Sequence, residues 1–88
     1  MMEDNNFTRV EKLISEFLKM DNKRKMRDFL LGILTPKELE EIAMRLEIVK
    51  LLKRGVRQHV IAERLKTGVA TVTRGSRELK SGRFKYTN

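Results

Sequence analysis

Hydroxyl and guanidinium side chains cluster in one short stretch of this chain, VATVTRGSREL at residues 69–79. Thr71, Thr73, Arg74 and Arg77 carry groups that hydrogen-bond phosphate oxygens and base edges of DNA, and a guanidinium also binds carboxylates. The chain has one histidine and no cysteine, so a catalytic nucleophile–base set or a metal site has little to be built from. The stretch indicates binding, and we expect neither enzymatic activity nor a metal.

The apolar residues of this stretch predict a helix in which Val69, Val72 and Leu79 face inward. Gly75 costs a helix interior about 1 kcal/mol relative to alanine, so its presence needs a reason. Close packing of a neighbouring helix is one explanation, and the pattern alone favours it. A ligand pressed against the helix backbone is the other explanation.

The positive charge is concentrated in the last third of the sequence. Residues 55–88 hold eight Lys and Arg against two Asp and Glu, whereas residues 1–54 hold twelve against ten. Such a basic region suits nucleic-acid phosphates or anionic lipid heads, although a solvated surface without a partner has the same composition. Because Phe84 and Tyr86 are its only aromatic residues, stacking on single-stranded RNA is disfavoured.

Two short helices are predicted in this basic region, at residues 58–65 and 69–80, with a tight turn at residues 66–68. This arrangement is typical of a helix-turn-helix, whose second helix enters the major groove of DNA. Small and hydroxylic residues at the start of that helix permit close approach to bases and phosphates. The candidate DNA-binding residues are Gln58, Val69, Ala70, Thr71, Thr73, Ser76, Arg77 and Lys80.

Three further helices are predicted upstream. The first carries its apolar residues on one face and starts either at Asp4 or Asn5 or with a capping box at Thr8. The second lies near residues 23–31, with Gly32 as its C-terminal stop. We expect the whole chain to form an all-α domain without a signal peptide or a membrane-spanning helix, because no long apolar run is present.

The third helix is predicted to start at Thr35-Pro36, where Glu38 can bond back to the cap, and to run to Gly55. Its apolar stripe is wider than a surface helix needs. We therefore expect a second copy of the chain to cover it, the alternative being a compact monomer. The apolar residues concerned are Leu39, Ile42, Ala43, Met44, Leu46, Ile48, Val49, Leu51 and Leu52.

The stretches ILTPKELEEIAMRLEIVKLLKRG (33–55) and GVATVTRGSRELK (68–80) resemble the Trp repressor family. The resemblance implies a small helical bundle with a C-terminal helix-turn-helix, assembled as an intertwined homodimer. It also implies a palindromic double-stranded DNA operator and L-tryptophan as an amino-acid corepressor. No other cofactor and no membrane partner are expected.

The resemblance also implies a tryptophan site. The indole would lie between the guanidinium groups of Arg45 and Arg74, with Thr71 and Gly75 lining the pocket. Arg74 and Thr35 would bind the ligand carboxylate, and the backbone carbonyl of Leu34 would accept from its ammonium group. Glu78 stands where the family commonly has a serine; its carboxylate either pairs with the ammonium or fills that site.

These observations predict one domain, with a dimerisation core at residues 1–55, a helix-turn-helix at 56–80 and a flexible segment at 81–88. The leading hypothesis is a cytoplasmic, tryptophan-responsive repressor. A ligand-independent helix-turn-helix regulator on the same scaffold is the first alternative. A non-enzymatic basic module that binds RNA or protein is the second. An i, i+4 ion pair with Glu41 would explain Arg45 without any ligand.

Overall fold

A computed structural model describes residues 5–88. This part of the chain is all-helical, as predicted, and contains no strand. It divides into two compact units, one ending at Leu39 and one spanning Glu40–Asn88. The helices are α1 (Asn6–Lys19), α2 (Lys23–Ile33), α3 (Pro36–Lys53), α4 (Gln58–Leu65) and α5 (Val69–Lys80).

Asparagine side chains start both helices of the first unit. The Oδ1 atom of Asn5 accepts from the Thr8 backbone N–H at 2.8 Å, and Asn22 caps α2 through the Lys25 N–H at 2.9 Å. Each bond satisfies one of the amide groups that a helix start leaves unpaired. Of the expected starts for α1, the structure adopts Asn5; Asp4 lies outside the described residues.

The prediction that α2 stops at Gly32 is wrong, because the helix continues to Ile33. Leu34 ends it with an extended backbone (φ −112°, ψ 146°), and its N–H donates to the Leu30 carbonyl. The position at which α2 ends therefore depends on the start of α3 at Pro36. Pro36 disfavours a helical conformation at the residue before it, so the chain leaves the helix just upstream.

A reciprocal capping box starts α3, as predicted. The Thr35 N–H donates to Glu38 Oε1 at 2.8 Å, and the Glu38 N–H donates to Thr35 Oγ1 at 3.1 Å. The bond from the Thr35 backbone, and secondarily a bond with its hydroxyl, lower the pKa of the Glu38 carboxyl below its ordinary value. Because the folded pKa is lowered, this carboxylate stabilises the fold above its unfolded pKa. That contribution is lost as pH falls through the folded pKa.

The core of the second unit joins α3, α4 and α5. Ile48 and Leu51 of α3 pack with Ile61 and Ala62 of α4 and Val72 of α5, and all five are buried. Apolar side chains at these spacings are the ones that the sequence pattern turns inward. This cluster fixes the α4–α5 hairpin on the C-terminal half of α3, and the exposed side of the hairpin is left free for a ligand or partner.

Lys66 ends α4 in the left-handed conformation, with φ 54° and ψ 48°. We expect Lys66→Gly to raise the free energy of unfolding by about 0.5–1 kcal/mol, since glycine has no Cβ to strain there. Thr67→Gly is the matched control, because Thr67 does not have a positive φ, and it should destabilise the chain. Urea unfolding of the two variants measures the difference; equal effects would contradict the explanation.

Candidate functional site

The hairpin of α4 and α5 is held by backbone bonds at its turn. The Thr67 N–H donates to the Ala62 carbonyl at 3.0 Å, and the Thr71 N–H donates to the Gly68 carbonyl at 3.2 Å. Both helices have the bounds predicted from the sequence. The bond from Thr67 pairs a carbonyl group near the C-terminal end of α4, and the bond from Thr71 lets α5 begin directly after Gly68. The two helices therefore form the expected helix-turn-helix.

Most of the predicted DNA-binding residues are accessible on this hairpin. Gln58 and Thr73 are half-buried, while Ser76 is only 9% exposed, so its side chain is not presented to solvent with the others. The exposed members are Val69, Ala70, Thr71, Arg77 and Lys80. The prediction that Val69 faces inward is therefore wrong, since its side chain at the start of α5 is 54% exposed. Small residues at the N-terminal end and cations further along suit a helix that reaches bases first and phosphates second.

A hydrogen bond between the two helices orients one of the candidate base-reading side chains. The Thr73 hydroxyl donates to Gln58 Oε1 at 2.8 Å, in a partly buried position. The Gln58 amide oxygen is thereby occupied, and its NH₂ group remains available as a donor. The sequence alone did not predict this pairing, because residues 58 and 73 lie on different helices.

A cavity of about 610 Å³ lies between α3, α5 and the segment that follows α5. Its walls are residues one helical turn apart on each helix, together with two residues of the following segment. A volume of this size is typical of small-molecule sites. The lining residues are Arg45, Ile48 and Val49 of α3, Ala70, Thr71, Arg74, Gly75 and Glu78 of α5, and Arg83 and Phe84.

The structure brings together five of the residues that the sequence predicted for a tryptophan site. Arg45, Thr71, Arg74, Gly75 and Glu78 all line this cavity. They come from two helices that are separated in sequence, so a common cavity is a property of the fold. The other two predicted residues lie at the junction of α2 and α3, in the first unit, and remain predictions: Leu34 and Thr35.

Gly75 has a packing reason as well as a place in the cavity. A Cβ atom at this position would lie 3.2 Å from Ile48 Cγ2 and 3.5 Å from Leu52 Cδ1. The first distance is tighter than ordinary van der Waals contact, so any side chain here requires the Ile48 side chain to shift by a few tenths of an ångström. Close helix packing, the explanation favoured by the pattern, is confirmed, and it accounts for the glycine without a ligand.

The charged residues of the cavity include three guanidinium groups, on Arg45, Arg74 and Arg83, and one carboxylate, on Glu78. Within residues 5–88 none of these four side chains forms an ion pair, so the pair with Glu41, the alternative explanation of Arg45, is absent. Unpaired guanidinium groups around a partly apolar cavity can bind a carboxylate bidentately and stack on an aromatic ring. The single carboxylate can bind an ammonium group.

Arg83 and Phe84 are cavity residues that sequence reasoning did not identify. They lie in the segment expected to be flexible, which has no helical periodicity. The signal that could have found them is Gly82, whose φ of +101° turns the chain after α5. Glycine at a helix end is typical of such a turn, but the direction in which the chain continues depends on packing.

None of the helices within residues 5–88 has the length and hydrophobicity that a membrane span requires. Across the same residues, no group of three or more His, Cys, Asp and Glu side chains is arranged to hold a metal ion.

Comparisons with known proteins identify the family. Residues 8–88 match the family model described as Trp repressor protein. A Trp operon repressor homolog of Vibrio vulnificus (strain YJ016) is 44% identical over 69 residues, covering 76% of this chain and 68% of the relative. A second, from Vibrio cholerae, is 35% identical over 83 residues, covering 92% of this chain and 80% of the relative.

A Trp operon repressor homolog of Actinobacillus succinogenes is 46% identical over 57 residues, covering 64% of this chain and 56% of the relative. No solved structure matches the chain significantly. The family match includes both units of the structure, the helix-turn-helix and the cavity behind it. The chain therefore belongs to the Trp repressor family and is a DNA-binding regulator of the repressor type.

Proposed function

We propose that this protein is a cytoplasmic homodimer that binds a palindromic operator and takes L-tryptophan as its corepressor. The observation that carries the proposal is the double role of α5. This helix presents Arg77 and Lys80 to solvent, while its residues Arg74 and Gly75 line the 610 Å³ cavity. A ligand in that cavity would fix the helix that reads DNA.

The cavity offers complementary chemistry to each part of a tryptophan molecule. The guanidinium groups of Arg45 and Arg74 provide flat cationic surfaces for the indole ring. Ile48 and Val49 add apolar wall. The Glu78 carboxylate is available to the ammonium group, and the ligand carboxylate would pair with Arg74.

Thermal denaturation of the purified protein with each of the twenty amino acids, at millimolar concentration, tests the corepressor. A ligand that binds only the folded state raises the free energy of unfolding, by about 2.7 kcal/mol at a concentration one hundred times Kd. The Tm rises as a consequence. We expect L-tryptophan to give the largest increase, and Arg45→Ala to abolish it. An unchanged Tm with tryptophan, or a larger shift with an aliphatic amino acid, would contradict the proposal.

A ligand-independent regulator is the second candidate, and the packing of Gly75 favours it. The 3.2 Å distance to Ile48 explains this glycine without a corepressor, and Glu78 can fill the space of an ammonium group. In that case no amino acid would raise Tm. Operator binding would be as tight without tryptophan as with it.

The dimer is supported by apolar side chains left exposed in a single chain. Phe7 is 72% exposed and Leu18 80% on α1, and Ile42 and Leu46 of α3 are 46% and 44% exposed. Neither α1 nor α2 contains a buried residue. Leaving this much apolar area in water is unfavourable at about 25 cal/mol per Å², which a second copy would relieve.

Sedimentation equilibrium at micromolar concentration should give a single species of twice the chain mass of 10.4 kDa. Leu18→Glu should weaken this assembly, since it places a charge on the apolar face. Lys19→Glu, one position further on an exposed part of α1, is the matched control and should leave the dimer intact. A folded monomer of the unchanged protein would contradict the dimer.

The Thr73–Gln58 bond should contribute to operator recognition. Thr73→Val keeps the side-chain shape but removes the donor, and a typical hydrogen bond contributes about 0.5–1.5 kcal/mol. We expect about a 2- to 10-fold loss of affinity for a site selected from a random duplex library. Thr73→Ser, which keeps the hydroxyl, should retain most of the affinity. Fluorescence anisotropy measures both; equal losses would show that the bond does not orient Gln58 for DNA.

A further inference from the structure

The segment after α5 turns back onto the cavity. Gly82 has a φ of +101°, and the Arg83 N–H donates to the Glu78 carbonyl at 3.0 Å. This is the glycine-based helix ending that pairs otherwise free carbonyl groups. Its consequence is that the next two residues, Arg83 and Phe84, line the cavity against α3 and α5.

A lysine from α3 holds this segment in place. Lys53 Nζ donates to the backbone carbonyl oxygens of Phe84 and Thr87. The Thr87 N–H also donates to the Phe84 carbonyl at 3.3 Å. Phe84 has a φ of +63°, which a residue with a Cβ adopts only where surrounding contacts impose it.

We propose that residues 83–87 form a strap that closes the ligand cavity, with Lys53 as its latch and Arg83 and Phe84 as ligand-contacting residues. The proposal rests on the proposed function in one respect, that the cavity binds a small amino acid. Lys53 is not among the residues that line the cavity. It is therefore a positioning residue, whose effect on a ligand passes through the strap.

The two strap residues narrow the class of ligand. Phe84 is 36% exposed, so its ring has room to pack edge-on or offset against an aromatic ligand. Arg83 adds a guanidinium group beyond the two on α3 and α5, and a single Glu78 carboxylate opposes the three. The excess of guanidinium groups favours a ligand with a carboxylate over a purely cationic one, and the Phe84 ring favours an aromatic ligand over an aliphatic one.

The latch is tested without any ligand by limited trypsin digestion read by mass spectrometry. The peptide bonds after Arg83 and Lys85 lie inside the strap, and we expect Lys53→Gln to speed their cleavage several-fold while Tm stays close to that of the unchanged protein. Lys53→Arg should restore protection, because it keeps donors at the same place. Lys50→Gln, the same charge change three residues earlier on α3, is the matched control.

Unchanged cleavage at the two strap bonds in Lys53→Gln would overturn the latch. So would an equal increase in Lys50→Gln. A large loss of Tm in Lys53→Gln, with faster cleavage throughout the chain, would make Lys53 a general structural residue and would also overturn it.

The ligand contacts are tested by calorimetry with L-tryptophan. Phe84→Leu and Lys53→Gln should each weaken tryptophan binding by about 2- to 10-fold, the range of one aromatic pair. His59→Leu is the control, since His59 is exposed on α4 and does not line the cavity, and it should have no effect. Equal affinity in Phe84→Leu and the unchanged protein would overturn the contact.

The failures of the two proposals are distinguishable. If the unchanged protein binds no tryptophan, the corepressor proposal fails and the ligand contacts of Arg83 and Phe84 fail with it. The digestion result then tests only whether Lys53 holds the strap, independently of any ligand. If tryptophan binds but neither strap variant weakens it, the corepressor stands and the strap is not part of its site.

Discussion

The affinity of this protein for duplex DNA should fall by about 10³- to 10⁵-fold between 50 and 200 mM salt, the range for six to ten phosphate contacts. Besides Arg74, which lines the cavity, each chain presents five exposed cations on the helix-turn-helix or directly before it. The two chains of the proposed dimer would therefore supply a number in this range. Binding to phosphates releases condensed counterions, and added salt opposes that release. The residues are Arg57, Arg64, Lys66, Arg77 and Lys80.

Removing one of these cations should change the salt dependence in a predictable way. Lys80→Ala should make the negative slope of log K against log salt shallower, by about one for each lost contact, and should weaken binding to all sequences alike. Lys37→Ala removes the same charge from an exposed position at the start of α3 and should leave the slope unchanged. Anisotropy titrations across the salt range measure both. A slope that changes equally in the two variants would show that the basic region does not form the interface.

Operator and L-tryptophan should raise one another's affinity by the same factor, within about 5- to 150-fold. The physical reason is that Arg74 and Gly75, on the cavity side of α5, move with the residues on its DNA side. Linkage requires the equality for binding constants, whatever the route of coupling. Calorimetry with tryptophan, in the presence and absence of operator, gives one factor, and operator binding with and without tryptophan gives the other.

Unequal factors would show that one titration does not measure a single linked equilibrium, whereas a factor of one would reject the corepressor. Glu78→Ser is the informative variant. If Glu78 pairs with the ligand ammonium, serine should weaken tryptophan binding, because a charge-assisted bond is replaced by a neutral one. If the carboxylate instead fills the ammonium site, the unchanged protein should bind no tryptophan at millimolar concentration, and serine should restore binding.

Gly75→Val is a less selective test of the ligand site. A valine would crowd Ile48 and Leu52 on α3, and overpacking a core typically costs about 1–3 kcal/mol. The variant should lose tryptophan binding and stability together, while weak non-specific binding to phosphates persists in whatever remains folded. Its denaturation midpoint must therefore be measured beside its affinity.

The sequence by itself determined the elements of this fold that depend on neighbouring residues. The α4 and α5 bounds, the capping box of Thr35 and Glu38, and the inward positions of Ile61 and Val72 all follow from periodicity, cap chemistry and turn residues within a few positions. The concentration of positive charge in residues 55–88 also follows from composition alone. The family resemblance then indicated Arg45, Thr71, Arg74, Gly75 and Glu78, which share one cavity in the structure.

Only the tertiary structure decided features that join residues distant in sequence. The close approach of Ile48 to Gly75, the burial of Ser76 and the bond from Thr73 to Gln58 depend on how α3, α4 and α5 meet. The contact of Lys53 with Phe84 depends on where the chain goes after α5. A helical pattern fixes which side chains share a face, but it does not specify which helix covers that face or how closely. The cavity and the set of residues that line it exist only once those packing distances are set.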